Sequence, residues 1–153
     1  GDRQAAAQLI EAVLAEYGLG WEPDGADQDV LAVEDCYLTQ GGEFWIIEQA
    51  GTLVGTAAYW PTHRGQQAVE IRKMYLHPCA RGQGLGYFLL QRLEQRIWEC
   101  GYRQIWIETA SVLAEAVALY ERNGYLPATG VETLRCDRVY TKLLTPSSDL
   151  NPA

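Results

Sequence analysis

The sequence holds little that would bind a metal, cross a membrane or grip a nucleic acid. No apolar run approaches the roughly 20 residues that a membrane-spanning helix needs. Only two histidines are present, His63 and His77, and none of the four cysteines (Cys36, Cys79, Cys100, Cys136) forms a C-x-x-C pair, so no zinc-site spacing exists. The cysteines are widely spaced in a chain large enough to build a core without staples, and free thiols in a reducing compartment are expected. No leader-like apolar stretch precedes the first amphipathic segment, and a cytoplasmic location is the expectation. Bases are nearly missing from the first part: residues 1–60 carry eleven acids and one base, Arg3, whereas residues 61–153 carry eleven bases and nine acids. A phosphate backbone is bound by clustered Lys and Arg, so a nucleic-acid partner is not expected. The acidic first part suits a cationic partner, or else is a solvated surface.

What is present is ordinary for a globular chain. With 153 residues, 48% of them hydrophobic and 21% charged, a single domain over residues 1–145 is expected, with a disordered tail over 146–153. Residues 4–17 repeat apolar side chains at helical spacing and stop at Gly18 and Gly20. Residues 30–38 read as a second short helix. The period then changes, and residues 44–47 and 53–59 read as a hairpin turning at Gly51, followed by a strand over 68–76 that Pro78 ends. Residues 84–100 form a helix with Leu90, Leu93, Ile97 and Cys100 on one face. Residues 104–109 form a strand around Ile105, Trp106 and Ile107, apolar on both faces and therefore central. A helix over 113–123 and strands near 125–134 and 138–144 complete the pattern, which contains no internal repeat or linker. The strand-helix-strand unit implies that 68–76 and 104–109 run parallel.

One stretch carries chemistry. A strand ending at Leu76 runs through His77-Pro78-Cys79-Ala80-Arg81 into Gly82-Gln83-Gly84-Leu85-Gly86, which opens a helix. Glycines let backbone N–H groups converge and a ligand approach closely, and the helix start adds donors and partial positive charge. With Arg81 alongside, the loop suits a diphosphate. The dinucleotide pattern G-x-G-x-x-G fails at Tyr87, and no P-loop Gly-Lys-Ser/Thr occurs. The R-x-x-G-x-G spacing of Arg81, Gly84 and Gly86 is there instead.

That spacing resembles the pyrophosphate signature of the GNAT superfamily of acyl-CoA N-acyltransferases. Residues 69–78 resemble the family strand that precedes the signature. Ala118-Leu119-Tyr120-Glu121-Arg122-Asn123-Gly124-Tyr125 resembles its late helix-to-strand motif. The hairpin pieces Gly41-Gly42-Glu43-Phe44-Trp45 and Gly51-Thr52-Leu53-Val54-Gly55 agree, so the likeness extends over about residues 4–144. Two features depart from the pattern: no strand precedes the first helix, as though trimmed or absent, and Leu113 stands where many members carry an Asn that helps hold the cofactor arm.

The resemblance implies an α/β fold (α+β in the wider sense): a mixed, mostly antiparallel sheet with a splayed parallel strand pair and flanking helices. It implies acetyl-CoA as cofactor and direct attack by a primary amine. Met74, Tyr75 and Leu76 would pair with the pantetheine arm, and Arg81, Gly82, Gln83, Gly84, Leu85 and Gly86 would hold the diphosphate. Lys73 interrupts the apolar face of that strand and hints at a bulge, where a freed N–H near Met74 or Tyr75 would polarise the thioester carbonyl. Tyr120 is the expected general acid, also in contact with cofactor, or else a core aromatic. Glu70 is the expected base, or else pairs with Arg72 or Lys73. Glu108 is a rival base or substrate ligand, or else has a capping or surface role. Glu34 and Asp35 are the expected acceptor-side acids. His77 is expected to have a structural or solvent role and Cys79 not to be a nucleophile. No metal is expected. A non-catalytic acyl-CoA-binding domain is the alternative, and a monomer or a homodimer is equally open.

Overall fold

The computed structural model describes residues 2–146, so the expected tail beyond Pro146 lies outside the described residues. Contacts gather the chain into two compact units. One takes in the described residues of Gly1–Trp60 and Ile71–Gln83, the other those of Pro61–Glu70 and Gly84–Ala153.

The first unit opens with helix α1, Asp2–Glu16, which buries Ala6, Leu9, Ile10, Val13 and Leu14. These positions recur at three- and four-residue intervals and so line one face. Ile10 and Leu14 join Val30 in a core cluster that Leu19, Trp21, Phe44 and Tyr75 pack against. The expected helix over 30–38 is not continuous. Its place is taken by a 3-10 turn at Gln28–Leu31, a single α-turn α2 at Val33–Cys36 and another 3-10 turn at Leu38–Gln40. Ala32 leaves helical geometry at φ −138°, and neither α2 nor the 3-10 turns have a side-chain cap. The fully buried Tyr37 ring and its bond to Asp29 hold this segment, in place of helix propensity. Strands β1 (Glu43–Gln49) and β2 (Thr52–Pro61) pair antiparallel, with a bulge between Ile47 and Glu48. Ala50 and Gly51 turn the hairpin at φ +52° and +81°, the two left-handed residues that such a tight turn demands.

Strand β3, Ala68–Leu76, matches its expected bounds and runs through both units. In the second unit, Gln67 O accepts Arg103 N–H at 2.8 Å and so ties the approach to β3 to the start of β4, Gln104–Thr109. Helix α3, Leu85–Glu99, buries Leu89, Leu90, Leu93, Glu94 and Ile97. Cys100, expected on that face, is exposed, because the helix ends at Glu99 and Cys100 sits in its cap. Glu94 is an acid in the middle of the apolar face, and it is fully partnered. Tyr125 Oη donates to its Oε2 at 2.7 Å, and Lys142 Nζ donates to both oxygens at 3.1 Å. Helix α4 spans Ala114–Arg122. The expected strand over 125–134 shrinks to β5, Leu126–Ala128, which pairs with β6, Arg138–Leu143. Pro127 cannot donate to a ladder and is confined to this edge strand.

The sheet order is β1-β2-β3-β4-β6-β5. β3 and β4 are parallel, whereas β1–β2, β4–β6 and β5–β6 are antiparallel, as the expected mixed α/β architecture requires. Along β4, Ile105, Ile107 and Thr109 are buried and the alternate residues half-buried, which suits its central place.

Candidate functional site

The glycine loop is built in three steps. β3 ends at Leu76, and His77 then caps a 3-10 turn at Pro78–Ala80, its Nδ1 accepting Cys79 N–H at 3.1 Å. His77 therefore has the expected structural role. Gly82 and Gly84 follow at φ +78° and +75°, a conformation that L side chains rarely adopt. A Cβ at either position would meet nothing within 4 Å. Glycine is thus demanded by backbone conformation, and the space above both residues is open. Gly84 caps α3 without any side-chain bond, which leaves the first-turn N–H groups of α3 uncovered by a capping side chain. Open space over a left-handed loop at a helix start is the arrangement that admits a diphosphate.

Arg81 faces a neighbour in the same unit. Its guanidinium bonds Glu16 through both nitrogens, at 2.6 and 2.9 Å, and Nε donates to Leu76 O at 3.0 Å. The Tyr17 ring centroid lies 5.5 Å away. This hydrogen bond from Arg81 holds the Glu16 carboxyl below its ordinary range. The charge expected to serve the loop is thus already paired, and Arg81 also braces the chain between Leu76 and the loop.

The first unit contains a buried ionic and aromatic cluster that sequence reasoning missed. Lys73, in the middle of β3, has φ +53° and is buried. Its Nζ donates to Asp27 Oδ1 and to Ala26 O, both at 2.8 Å, and lies 3.5 Å from Asp29 Oδ1. Asp27 is wholly buried and also accepts Glu22 N–H at 2.9 Å. Asp29 accepts the Tyr37 hydroxyl and lies 3.7 Å from Arg72 Nε. The Arg72 guanidinium stands 4.1 Å above the Trp60 ring, and Trp60 stacks on Tyr37 at 5.0 Å. Two acids and two bases compensate one another away from water, as buried charges must. Burial pushes the Tyr37 phenol far up and the Lys73 ammonium down. The only trace of this in the sequence was the lysine breaking the apolar face of β3; its partners lie more than 40 residues away.

Glu70 and Tyr120 belong to the second unit. Glu70 lies on β3 and is 8% exposed. Tyr120, in the last turn of α4, is 4% exposed, with Tyr125 and Tyr140 ring centroids at 5.8 and 6.2 Å. Glu108 is engaged on both oxygens. Oε2 accepts Arg64 Nη2 at 2.6 Å, and Oε1 accepts the Glu132 and Thr133 N–H groups at 3.0 Å. A carboxylate bound in this way anchors the loop at residues 132–133. Arg64 also reaches Glu132 at 2.9 Å. Leu113 occupies the N-cap of α4 and makes no side-chain cap bond.

Glu34 and Asp35 are exposed on α2, and Glu34 pairs with Arg3 at 2.7 Å. Together with Asp27, Asp29 and Glu16, it is one of four early acids whose charge is met by a cation, so the negative field of this part is weaker than its composition implies. All four cysteines are free thiols. Among the described residues no group of three His, Cys, Asp or Glu is placed to hold a metal, and no helix is long and apolar enough to cross a membrane.

Comparison with known proteins agrees with this geometry. The model of the acetyltransferase (GNAT) family matches residues 6–125. The N-acetyltransferase YjgM of Escherichia coli, itself uncharacterized, is 33% identical over 127 residues, which cover 81% of this chain and 76% of that protein. A GNAT-family acetyltransferase from Staphylococcus aureus superposes with a TM-score of 0.85 at 20% identity, over 94% of this chain and 93% of that one. The yncA protein of Salmonella typhimurium, solved with its cofactor acetyl-CoA, superposes with a TM-score of 0.68 at 24% identity, over 96% of this chain and 92% of that one. The match across most of the sequence, with the glycine loop inside it, shows that the chain belongs to the GNAT family of acetyltransferases, whose acetyl donor is acetyl-CoA.

Proposed function

We propose that residues 1–145 act as one N-acetyltransferase domain that moves the acetyl group of acetyl-CoA to a primary amine on a small cationic acceptor, by direct attack. The observation that carries this reading is the pair of left-handed glycines, Gly82 and Gly84, with open space above them at the start of α3. Backbone N–H groups of residues 82–86 receive the diphosphate. The backbone of Met74, Tyr75 and Leu76 takes the pantetheine arm as an added strand. Acetyl-CoA supplies an activated acetyl thioester.

The chain's own groups then have two protons to move. An amine with a pKa near 10 is protonated at neutral pH and must lose a proton to attack. Glu70, a buried carboxyl, accepts that proton, directly or through water. As the new N–C bond forms and the C–S bond breaks, the Tyr120 hydroxyl would give its proton to the departing thiolate and take back, directly or through water, the second proton that the new amide nitrogen sheds. Glu108 is left out of this scheme because its oxygens already hold Arg64 and two backbone N–H groups. The acceptor's charge is inferred from the acidic first part of the chain, where Asp35 and its exposed neighbours line α2.

The test is release of free CoA from acetyl-CoA across a panel of cationic, neutral and anionic amines. Amine-dependent release, fastest for a cation, supports the reading. Tight acetyl-CoA binding without release for any amine would mark an acyl-CoA-binding domain instead.

A further inference from the structure

Lys73 is a non-glycine residue held in a left-handed conformation inside a strand. Among the described residues two other non-glycine residues share a positive φ, but Ala50 is in a hairpin turn and Gln67 directly precedes β3. In mid-strand such a residue is strained and persists only where its surroundings over-determine it. The surroundings of Lys73 do so from both ends. Its carbonyl accepts the hydroxyl of Thr56, a fully buried residue, at 2.6 Å. Its ammonium is held by Asp27, Ala26 O and Asp29. Asp27 is fixed in turn by Glu22 N–H, and Asp29 by Tyr37. The consequence is visible along the strand: residues 68–71 are all buried, Lys73 is buried again, and Met74, Tyr75 and Leu76 are half-buried.

We propose that the Lys73–Asp27–Asp29 ion cluster is a positioning device that locks the left-handed kink of β3 and thereby aims the backbone of Met74, Tyr75 and Leu76 at the acetyl thioester. This rests on the reading of those three residues as the cofactor-facing backbone. The cluster does not touch substrate; it acts through the kink. Asp27 ends a Gly- and Pro-containing loop and Asp29 stands in the 3-10 turn that follows, so their charge serves the strand's shape, and both are withdrawn from any acceptor-binding role.

The experiment separates the kink from the charges. Two charge-balanced double variants, Lys73→Met/Asp27→Asn and Lys73→Gly/Asp27→Asn, both abolish the Lys73–Asp27 pair. They differ in that glycine accepts positive φ without strain. We expect the Met variant to lose about 100-fold in kcat, as small displacements of reacting groups do, with acetyl-CoA Kd changed much less, and the Gly variant to regain at least about tenfold of that loss. The amide resonances of Met74, Tyr75 and Leu76 should shift in the Met variant and stay near parental positions in the Gly variant. Those resonances report on the kink whether or not acetyl-CoA is the ligand. Failure of the parent to bind acetyl-CoA would therefore overturn the cofactor reading separately. Equal kcat and equal amide shifts in the two variants, or parental values in the Met variant, overturn the lock. If only the Gly variant folds, the lock is supported. If neither folds, Asp27→Asn alone must show the same kcat-weighted loss, and a parental kcat there overturns the proposal.

Discussion

Arg81 and Glu16 face each other fork to fork, with nitrogen–oxygen distances of 2.6 and 2.9 Å, at the edge of the glycine loop. A bidentate pair of this kind fixes orientation as well as charge. Opposite effects follow from removing either partner. Glu16→Gln leaves the guanidinium uncompensated beside the loop, and acetyl-CoA should bind about two- to fivefold tighter, with steeper salt dependence. Arg81→Ala removes the brace to Leu76 O and leaves a bare carboxylate near the anion, so binding should weaken. Titration calorimetry at low and high salt distinguishes the two signs; a shift in the same direction for both variants would refute this account.

The same pair sets an acid limit. The Glu16 pKa is lowered from 4.5 by its bond to Arg81, so the stabilisation is fully present above 4.5 and is lost as pH falls through the lower folded value. The difference in Tm between the parent and Glu16→Gln should therefore close on acidification below 4.5. A difference that persisted there would place the effect of Gln elsewhere.

Gly84→Val forces a β-branched residue to φ +75°. The backbone cost is roughly 1–2 kcal/mol, or about 2–8 °C in Tm for a chain of this size. The added side chain also enters the open space assigned to the diphosphate. Acetyl-CoA affinity should fall by more than the stability loss explains. Parental affinity in a folded Gly84→Val chain would remove the loop from the cofactor site.

Tyr120→Phe keeps the ring that packs beside Tyr125 and Tyr140 and deletes only the hydroxyl. A general acid contributes roughly 10²–10⁴-fold, so kcat should drop within that range while acetyl-CoA Kd stays near parental. Unchanged turnover, with chemistry shown to limit the rate, would exclude the phenol as proton donor.

For the acceptor, Asp35→Asn removes an exposed carboxylate on α2 that pairs with no cation among the described residues. KM for the best cationic amine should rise about two- to fivefold at low salt, and less as salt shortens the Debye length from about 8 Å at physiological ionic strength to about 3 Å at molar salt. A neutral preferred amine with no salt effect would make the acidic surface a solubilising one.

Much of the architecture was legible in the residues. β3 and β4 fall within the bounds that Pro78 and the apolar run Ile105-Trp106-Ile107 predict, since strong local signals and burial agree there. The glycine loop was legible because its requirement is a local backbone one. Segments shaped by distant contacts were not. Residues 30–38 carry helical spacing, but the burial of Tyr37 and its bond to Asp29 break them into turns. The D-x-D of Asp27 and Asp29 gives no sign of its partner, because nothing local announces a lysine 46 positions onward that neutralises it. Arg81 was legible as a loop residue, but its commitment to Glu16, 65 residues away, was not.

Glu94 has a consequence for how this sequence can change. It pins α3 to Tyr125 and Lys142 from a position eight residues after Gly86, so the span between them works as a ruler. Inserting one residue there would turn everything beyond it by about 100° around the helix axis. Either the glycine loop or the buried carboxylate would then face the wrong way. Drift in side-chain identity is tolerable at the exposed positions of this span, such as Tyr87 and Phe88, whereas a change in its length is not, and related chains that keep both ends should keep the count between them.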